Sequence, residues 1–149
     1  MGDTLYFDVD HALKEHDNII SISGGLEGLR DIGLLESVLS HIQNDTYYPT
    51  FPSKLTHLVF SIAMNHAFTD GNKRSSIALG AFFLEINRYE SLVGLFIIEM
   101  ENIVLWVAKN KVSKDLLREI IESLVINRSI SEEVKLKIIN VLSVGDLQV

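Results

Sequence analysis

Six side chains that can handle protons, metal ions or phosphate fall within ten residues, in the stretch Asn65–Arg74. The imidazole of His66 suits proton abstraction near neutral pH. A lone carboxylate such as Asp70 is the usual protein ligand of a Mg²⁺ ion that also binds phosphates. Lys73 and Arg74 can neutralise phosphate oxygens, and arginine can hold two of them at once. Together these groups suit phosphoryl or nucleotidyl transfer, in which positioning and charge neutralisation provide most of the catalysis.

Two apolar segments flank this stretch and must position it. Leu55–Ala63 and Ile77–Ile86 are hydrophobic almost all round, which predicts two buried helices. The second helix is predicted to begin near Asn72, where the first amides lack intrahelical partners and the helix dipole is positive. Cations in a first turn cost about 0.3–1 kcal/mol each, and a bound anion would remove that cost. The sequence therefore predicts a phosphate site formed by Gly71, Asn72, Lys73 and Arg74.

Each of these residues also has a simpler explanation when it is considered alone. A histidine that ends the buried face of a helix, as His66 does, is more often a satisfied core residue. The Asp70–Asn72 tripeptide is common turn chemistry, with the asparagine as a helix cap. Lys73 and Arg74 could be ordinary solvated surface charges. The chemical interpretation depends on the combination of the residues.

Composition limits the class of protein. With 149 residues and 47% hydrophobic residues, the chain can form one domain with a substantial core. It has no cysteine, which excludes disulfides and thiolate zinc sites, and its net charge of −7 argues against a broad nucleic-acid-binding surface. The first residues lack a basic segment followed by an apolar run, and the apolar stretches are interrupted before the length of a membrane span. We expect a soluble cytoplasmic protein.

Apolar spacing along the rest of the chain predicts an all-α fold. Amphipathic helices are predicted at Phe7–His16, Asp31–Gln43, Gly94–Ala108, Lys114–Val125 and Ser131–Leu142, the last after a capping box at Ser129–Glu132. The β-branched run Ile19–Ile22 predicts a short strand, and the glycines at Gly24–Gly28 predict a turn or mobile flap. Gly80 lies inside a predicted helix, which predicts a close helix crossing there.

The stretch His66–Arg74 resembles the motif of the Fic/Doc family, His-x-Phe-x-(Asp/Glu)-(Gly/Ala)-Asn-x-Arg, at every fixed position. The upstream stretch Gly24–Ser37 resembles the death-on-curing (Doc) branch of that family. The resemblance runs from about Leu5 to Val125 and implies an all-α helical bundle with a small β-hairpin flap. We therefore expect a Fic/Doc domain at residues 1–126 and a C-terminal helical extension at residues 127–149, packed on the same domain.

The resemblance also implies an activity. ATP with Mg²⁺ would be the cofactor, and a Ser, Thr or Tyr hydroxyl of a target protein would be the acceptor. His66 would be the general base and Asp70 the metal ligand, while Gly71, Asn72, Lys73 and Arg74 would bind the phosphates. A flap would align the target by strand addition, and it would comprise Ile22, Ser23, Gly24, Gly25, Leu26, Glu27 and Gly28.

Two positions bear on which group is transferred. Fic proteins that transfer AMP usually have a glycine after the asparagine and a second arginine three residues after the first, where this chain has Lys73 and Ile77. Lysine resembles the Doc branch, which phosphorylates a translation factor, whereas Gly71 resembles the Fic branch. We expect a Doc-like toxin of a toxin-antitoxin system that transfers phosphate, with an antitoxin as partner. Fic-type AMP transfer, or a catalytically inactive interaction module of the same fold, is the alternative.

Ser23–Gly28 also fits the letters of an inhibitory helix found in some Fic proteins, (Ser/Thr)-x-x-x-Glu-(Gly/Asn). Two interior glycines argue against a helix at this place. The arginine that would pair with Glu27 is also absent. We interpret the match as chance.

Overall fold

A computed structural model of the chain describes residues 3–25, 30–65, 67–68 and 70–146. Within these residues the structure is helical, with no strand beyond a single bridge residue at Phe68, and the predicted all-α fold is confirmed. The helices are α1 (Val9–Ser23), α2 (Ile32–His41), α3 (Phe51–Asn65), α4 (Asn72–Ile86), α5 (Val93–Ala108), α6 (Lys114–Asn127) and α7 (Glu132–Asp146), with a 3-10 helix at Glu90–Leu92 before α5.

Helix α3 forms the centre of the bundle. It contacts α2, α4, α5 and α6, and its contact with α4 is the most extensive in the molecule. Its fully buried side chains include Leu55, Leu58, Val59 and Ile62. The predicted pair of buried helices is therefore confirmed, and the turn between them stands at one end of the packed core.

Gly80 marks the close crossing that the sequence predicts. A Cβ atom at this position would lie 2.9 Å from both Val59 on α3 and Phe96 on α5. Real Cβ atoms do not approach other heavy atoms so closely, so α4 can pack between its two neighbours only because this residue is glycine.

Replacing Gly80 with alanine tests this crossing, and Gly94 on α5 is a matched control because its Cβ would meet no atom within 4 Å. Alanine favours a helix by about 1 kcal/mol at either position. At Gly80 the steric overlap opposes that gain by about 1–3 kcal/mol. We expect Gly80→Ala to be less stable than Gly94→Ala by that amount in urea unfolding. Equal stabilisation of both variants would contradict the close crossing.

Polar caps define several helix starts. The carboxylates of Asp8 and Asp31 each accept a backbone N–H from the first turn of α1 and α2. At α7 the predicted capping box is wrong: the Oγ atom of Ser131, and not that of Ser129, accepts the N–H of Val134. The helix therefore begins at Glu132.

The prediction of a short first helix followed by a strand at Ile19–Ile22 is wrong. Helix α1 runs without interruption from Val9 to Ser23. Ile20 is buried, and its Cδ1 atom lies 3.1 Å from the Cβ position of Gly25 and 3.0 Å from that of Gly71. Burial of this side chain against the α3–α4 turn outweighs the weak strand preference of β-branched residues.

This correction changes the predicted flap. Ile22 and Ser23 form the end of α1, and Gly24 and Gly25 follow it with positive φ angles of 80° and 122°. Residues 26–29 lie outside the described residues. A hairpin at Leu26, Glu27 and Gly28 therefore stays a prediction.

The last helix packs on α6. Val134 and Ile138 of α7 are buried and belong to the same hydrophobic core as the other helices. The residues after 127 therefore extend the bundle. A domain boundary near residue 126 stays a prediction.

One segment, Glu90–Ala108, is long and apolar enough to cross a membrane by length and composition, with 19 residues and a mean hydropathy of 1.7. This differs from the expectation that every apolar stretch is too short. Phe96, Met100 and Val104 of this segment are buried in the core. A core helix passes the same test, so the composition is weak evidence for a membrane span.

A buried histidine joins three parts of the bundle. His57 on α3 is 8% exposed, and its Nδ1 atom lies 2.8 Å from Nζ of Lys114 on α6 and 2.9 Å from the hydroxyl of Tyr48. A protonated lysine can only donate, so Nδ1 is an acceptor and the imidazole is neutral. Burial, and then the positive charges of Lys114 and His41, lower the pKa of His57 to about 4.

This pKa predicts a loss of stability in acid. Below pH 6.5 the unfolded chain binds a proton at His57, whereas the folded chain does so only near pH 4. The free energy of unfolding therefore falls as the pH decreases between these values, by on the order of 1–2 kcal/mol after solvent screening. In urea titrations, His57→Asn should lose this contribution, while the exposed control His41→Asn keeps most of it, because burial and Lys114 are the larger causes of the lowered pKa. An unchanged pH dependence in His57→Asn would contradict the assignment.

Candidate functional site

The turn between α3 and α4 requires a glycine. Gly71 precedes α4 in the left-handed conformation, with φ 73° and ψ 21°. A Cβ atom here would lie 3.0 Å from Ile20 and 3.7 Å from Nε2 of His16, both on α1. Conformation and close packing thus both favour glycine, which lets the start of α4 lie directly against α1.

Five of the predicted site residues line one cavity. This cavity, of about 250 Å³, lies at the start of α4 and is lined by Asp70, Gly71, Asn72, Lys73 and Arg74 together with Ala63 and Ala108. Lys73 and Arg74 are solvent-exposed, yet both border the same space as the carboxylate. A larger cavity of about 690 Å³, among Asp3–Leu5, Phe51 and Ile86–Tyr89, contains none of the predicted site residues.

The electrostatics of this cavity favour an anion. Helix α4 begins at Asn72, has no acidic residue in its first turn, and has no side-chain cap from Gly71. The first amides of a helix have no partner within it, and the dipole places about half a positive charge there. Lys73 and Arg74 add two positive charges against the one negative charge of Asp70, so the edge of the cavity at the start of α4 keeps a positive balance.

Asn72 holds the turn together. Its Oδ1 atom accepts the N–H of Phe68 at 3.1 Å, and its Nδ2 atom donates to the carbonyl of Phe68 at 3.0 Å. The Asn72 side chain is 8% exposed, and Phe68 is fully buried. The side-chain amide therefore satisfies buried backbone groups, a role that sequence reasoning did not assign to it.

Removal of this amide should destabilise the fold. Asn72→Ala leaves the buried N–H and C=O of Phe68 without partners, at a cost of about 1–3 kcal/mol. Asn87 is a matched control, because it makes the same pair of bonds to Leu5, which is 56% exposed. Water can replace the bonds to Leu5, so Asn87→Ala should cost less in urea unfolding. Equal losses of unfolding free energy in the two variants would show that the burial of Phe68 does not increase the cost of the missing hydrogen bonds.

The carboxylate of Asp70 is fixed at the rim of the cavity. Its Oδ1 atom accepts the N–H of Gly71 at 2.8 Å, and its Oδ2 atom lies 2.7 Å from the position that a Cβ of Gly25 would occupy. No group of three or more metal-binding side chains occurs in the part of the chain that the structure describes. A Mg²⁺ ion at Asp70 would therefore take its other ligands from phosphate and water, as Mg²⁺ usually does.

His66, the predicted base, lies outside the described residues, so its role stays a prediction. It follows Asn65, the last residue of α3. The next residue, Ala67, accepts the backbone N–H groups of Arg30 and Asp31 at 2.9 and 3.0 Å. These bonds fix the chain immediately after His66 against the start of α2.

Sequence reasoning did not identify His16 as a site residue. Its ring is 1% exposed, stacks on Phe68 at 4.0 Å with an angle of 6°, and places Nε2 2.6 Å from the carbonyl oxygen of Asp70. Ala12, His16 and Ile20 recur every four residues and are all buried. This inward-facing spacing is a signal of burial, but it does not reveal the partner.

Comparison with known proteins identifies the family. Residues 6–84, slightly more than half of the chain, match the sequence profile of the Fic/DOC family. The match includes α1 to α3 and most of α4, and therefore both the turn and the helix that packs against it. The chain belongs to the Fic/DOC family.

Two curated relatives are similar over part of the chain. The protein named Toxin Doc from Mycolicibacterium smegmatis is 41% identical over 68 residues, which are 43% of this chain and 52% of the relative. Protein kinase doc from Escherichia phage P1 is 36% identical over 76 residues, which are 48% of this chain and 60% of the relative. The chain thus spans between half and three fifths of the length of these relatives.

Proposed function

We propose that this protein is a Doc-like toxin that transfers the γ-phosphoryl group of ATP, with Mg²⁺, to a hydroxyl side chain of a target protein of the translation-factor type. The observation that carries the proposal is that Asp70, Lys73 and Arg74 border one cavity at the start of α4. Membership of the Fic/DOC family and the names of the two relatives, one a toxin and one a protein kinase, support the same activity.

The residues at the turn fit a nucleotide triphosphate. The amides at the start of α4 would bind phosphate oxygens, with the side chains of Lys73 and Arg74 neutralising their charge. Asp70 would hold Mg²⁺, which supplies further charge neutralisation on the phosphates when bound. His66 would accept the proton of the target hydroxyl as that oxygen bonds to the γ-phosphorus and ADP leaves.

The end of α1 is the proposed docking surface for the target. Ile22 is 79% exposed although it is apolar, and it lies three residues before Gly25, which contacts Asp70. An apolar side chain exposed beside the proposed site would add buried apolar area when a protein substrate docks there. We also propose an antitoxin partner and a cytoplasmic site of action, on the strength of the relative named as a toxin.

ATP labelled at either the γ or the α position tests the proposal. The purified protein is incubated with a bacterial lysate, Mg²⁺ and each labelled ATP in turn. We expect protein-bound label from the γ position alone, because phosphoryl transfer releases the α-phosphate in ADP. Label from the α position would indicate AMP transfer instead. No label from either, with the fold intact, would contradict both reactions.

Two variants complete this experiment. His66→Ala should abolish transfer while ATP binding, measured by calorimetry, remains, because a base acts on the acceptor and not on the nucleotide. His41→Ala is the control, since His41 is an exposed histidine on α2. Full activity of His66→Ala would remove this residue as the base.

AMP transfer is the second candidate, and Gly71 favours it because the residue resembles the Fic branch. The position of the second arginine in that branch holds Ile77, which is half-buried on α4 and packs against the core. Phosphoryl transfer is therefore the better-supported reaction. An inactive interaction module would bind nucleotide, or none, without turnover.

A further inference from the structure

His16 reaches the candidate site from a different helix. It lies in the middle of α1, 54 residues before Asp70 in the sequence, and its Nε2 atom is 2.6 Å from the carbonyl oxygen of Asp70. A carbonyl oxygen can only accept, so Nε2 carries the proton and donates it. The other ring nitrogen, Nδ1, lies 3.5 Å from the carboxylate of Asp17, which is on the solvent side.

The ring of His16 packs against the turn at Phe68, Asp70 and Gly71. It stacks on Phe68, bonds to Asp70, and lies 3.7 Å from the Cβ position of Gly71. Because His16 is 1% exposed, water does not compete for this hydrogen bond. The Asp70 side of the bond is partly buried, so loss of the donor would leave the carbonyl with a weaker substitute from solvent and would loosen the turn.

We propose that His16 is a positioning residue for the metal and phosphate site, an inference that rests on the proposed function. The hydrogen bond fixes the peptide unit between Asp70 and Gly71. That peptide sets both the direction of the Asp70 carboxylate and the left-handed turn from which α4 begins. Partners that orient a metal ligand typically change metal affinity by about 10–100-fold when they are removed.

Two substitutions separate the hydrogen bond from the packing. His16→Phe keeps a ring that can stack on Phe68 but removes the N–H donor. His16→Gln loses the ring but places an amide N–H at about the same reach along the side chain as Nε2. His16→Asn is the matched control, because its shorter amide does not reach the Asp70 carbonyl.

Amide hydrogen exchange of the turn is the first readout, and it does not depend on activity. We expect faster exchange in peptides covering residues 67–76 of His16→Phe and His16→Asn, and near wild-type exchange in His16→Gln. Peptides from α6, where Ile120 and Ile121 are fully buried, report global unfolding and should not change. The second readout is the Mg²⁺ concentration for half-maximal γ-label transfer, which should rise about tenfold or more without the donor.

The outcomes separate this inference from the proposed function. Unchanged exchange in His16→Phe and His16→Asn would overturn the inference, as would an increase spread equally over α6. Exchange in His16→Gln as fast as in His16→Asn would also overturn it, because a donor of the right reach would then not hold the turn. If wild-type protein transfers no label but exchange follows the expected pattern, positioning of the turn stands and the proposed phosphoryl transfer fails.

Discussion

The pairing of buried backbone groups in the α3–α4 turn is the constraint on which the rest of the site depends. A turn at the end of two buried helices cannot leave its N–H and C=O groups exposed to an apolar core. In this protein each of three neighbours provides partners: Asn72 pairs with Phe68, His16 with the carbonyl of Asp70, and the start of α2 with the carbonyl of Ala67. The turn is therefore held by α1, α2 and α4 together.

Close packing of α4 behind the turn also holds the site in place. Gly80 allows α4 to approach α3 and α5 closely, so the helix that carries Lys73 and Arg74 has little freedom to shift. A helix that is held in place keeps its first amides and its dipole in a fixed orientation. These groups therefore need not reorganise when an anion binds. Preorganisation of this kind is the main contribution that a protein makes to phosphoryl transfer.

Sequence patterns predicted the local features well. The spacing of apolar residues located α2 to α7, and the carboxylates of Asp8 and Asp31 cap α1 and α2 through bonds only three residues long. Asp70 and the two cations, which the motif places within five residues of one another, border one cavity, and their roles stay predictions. These properties depend on neighbours within a few residues along the chain.

Apart from the close helix crossing at Gly80, features that depend on distant contacts were not predicted. The strand preference of Ile19–Ile22 lost to burial of Ile20 against a turn some fifty residues away. His16 and His57 looked like ordinary helix residues, since their partners Asp70 and Lys114 are 54 and 57 residues distant. A pattern of residue types gives no information on such pairings, which the tertiary structure determines.

The closeness of Gly25 to the Asp70 carboxylate would couple the proposed binding of an ion at Asp70 to the proposed docking of a protein at the end of α1. Because the carboxylate of Asp70 occupies the space that a side chain at Gly25 would fill, a shift of this backbone changes the room available to the carboxylate. If the proposed ion fixes the carboxylate in one arrangement of Gly25, a protein that fixes Gly25 would change the affinity for the ion by the same factor. A protein bound at the end of α1 would then change ion binding at Asp70 without any large movement of the backbone.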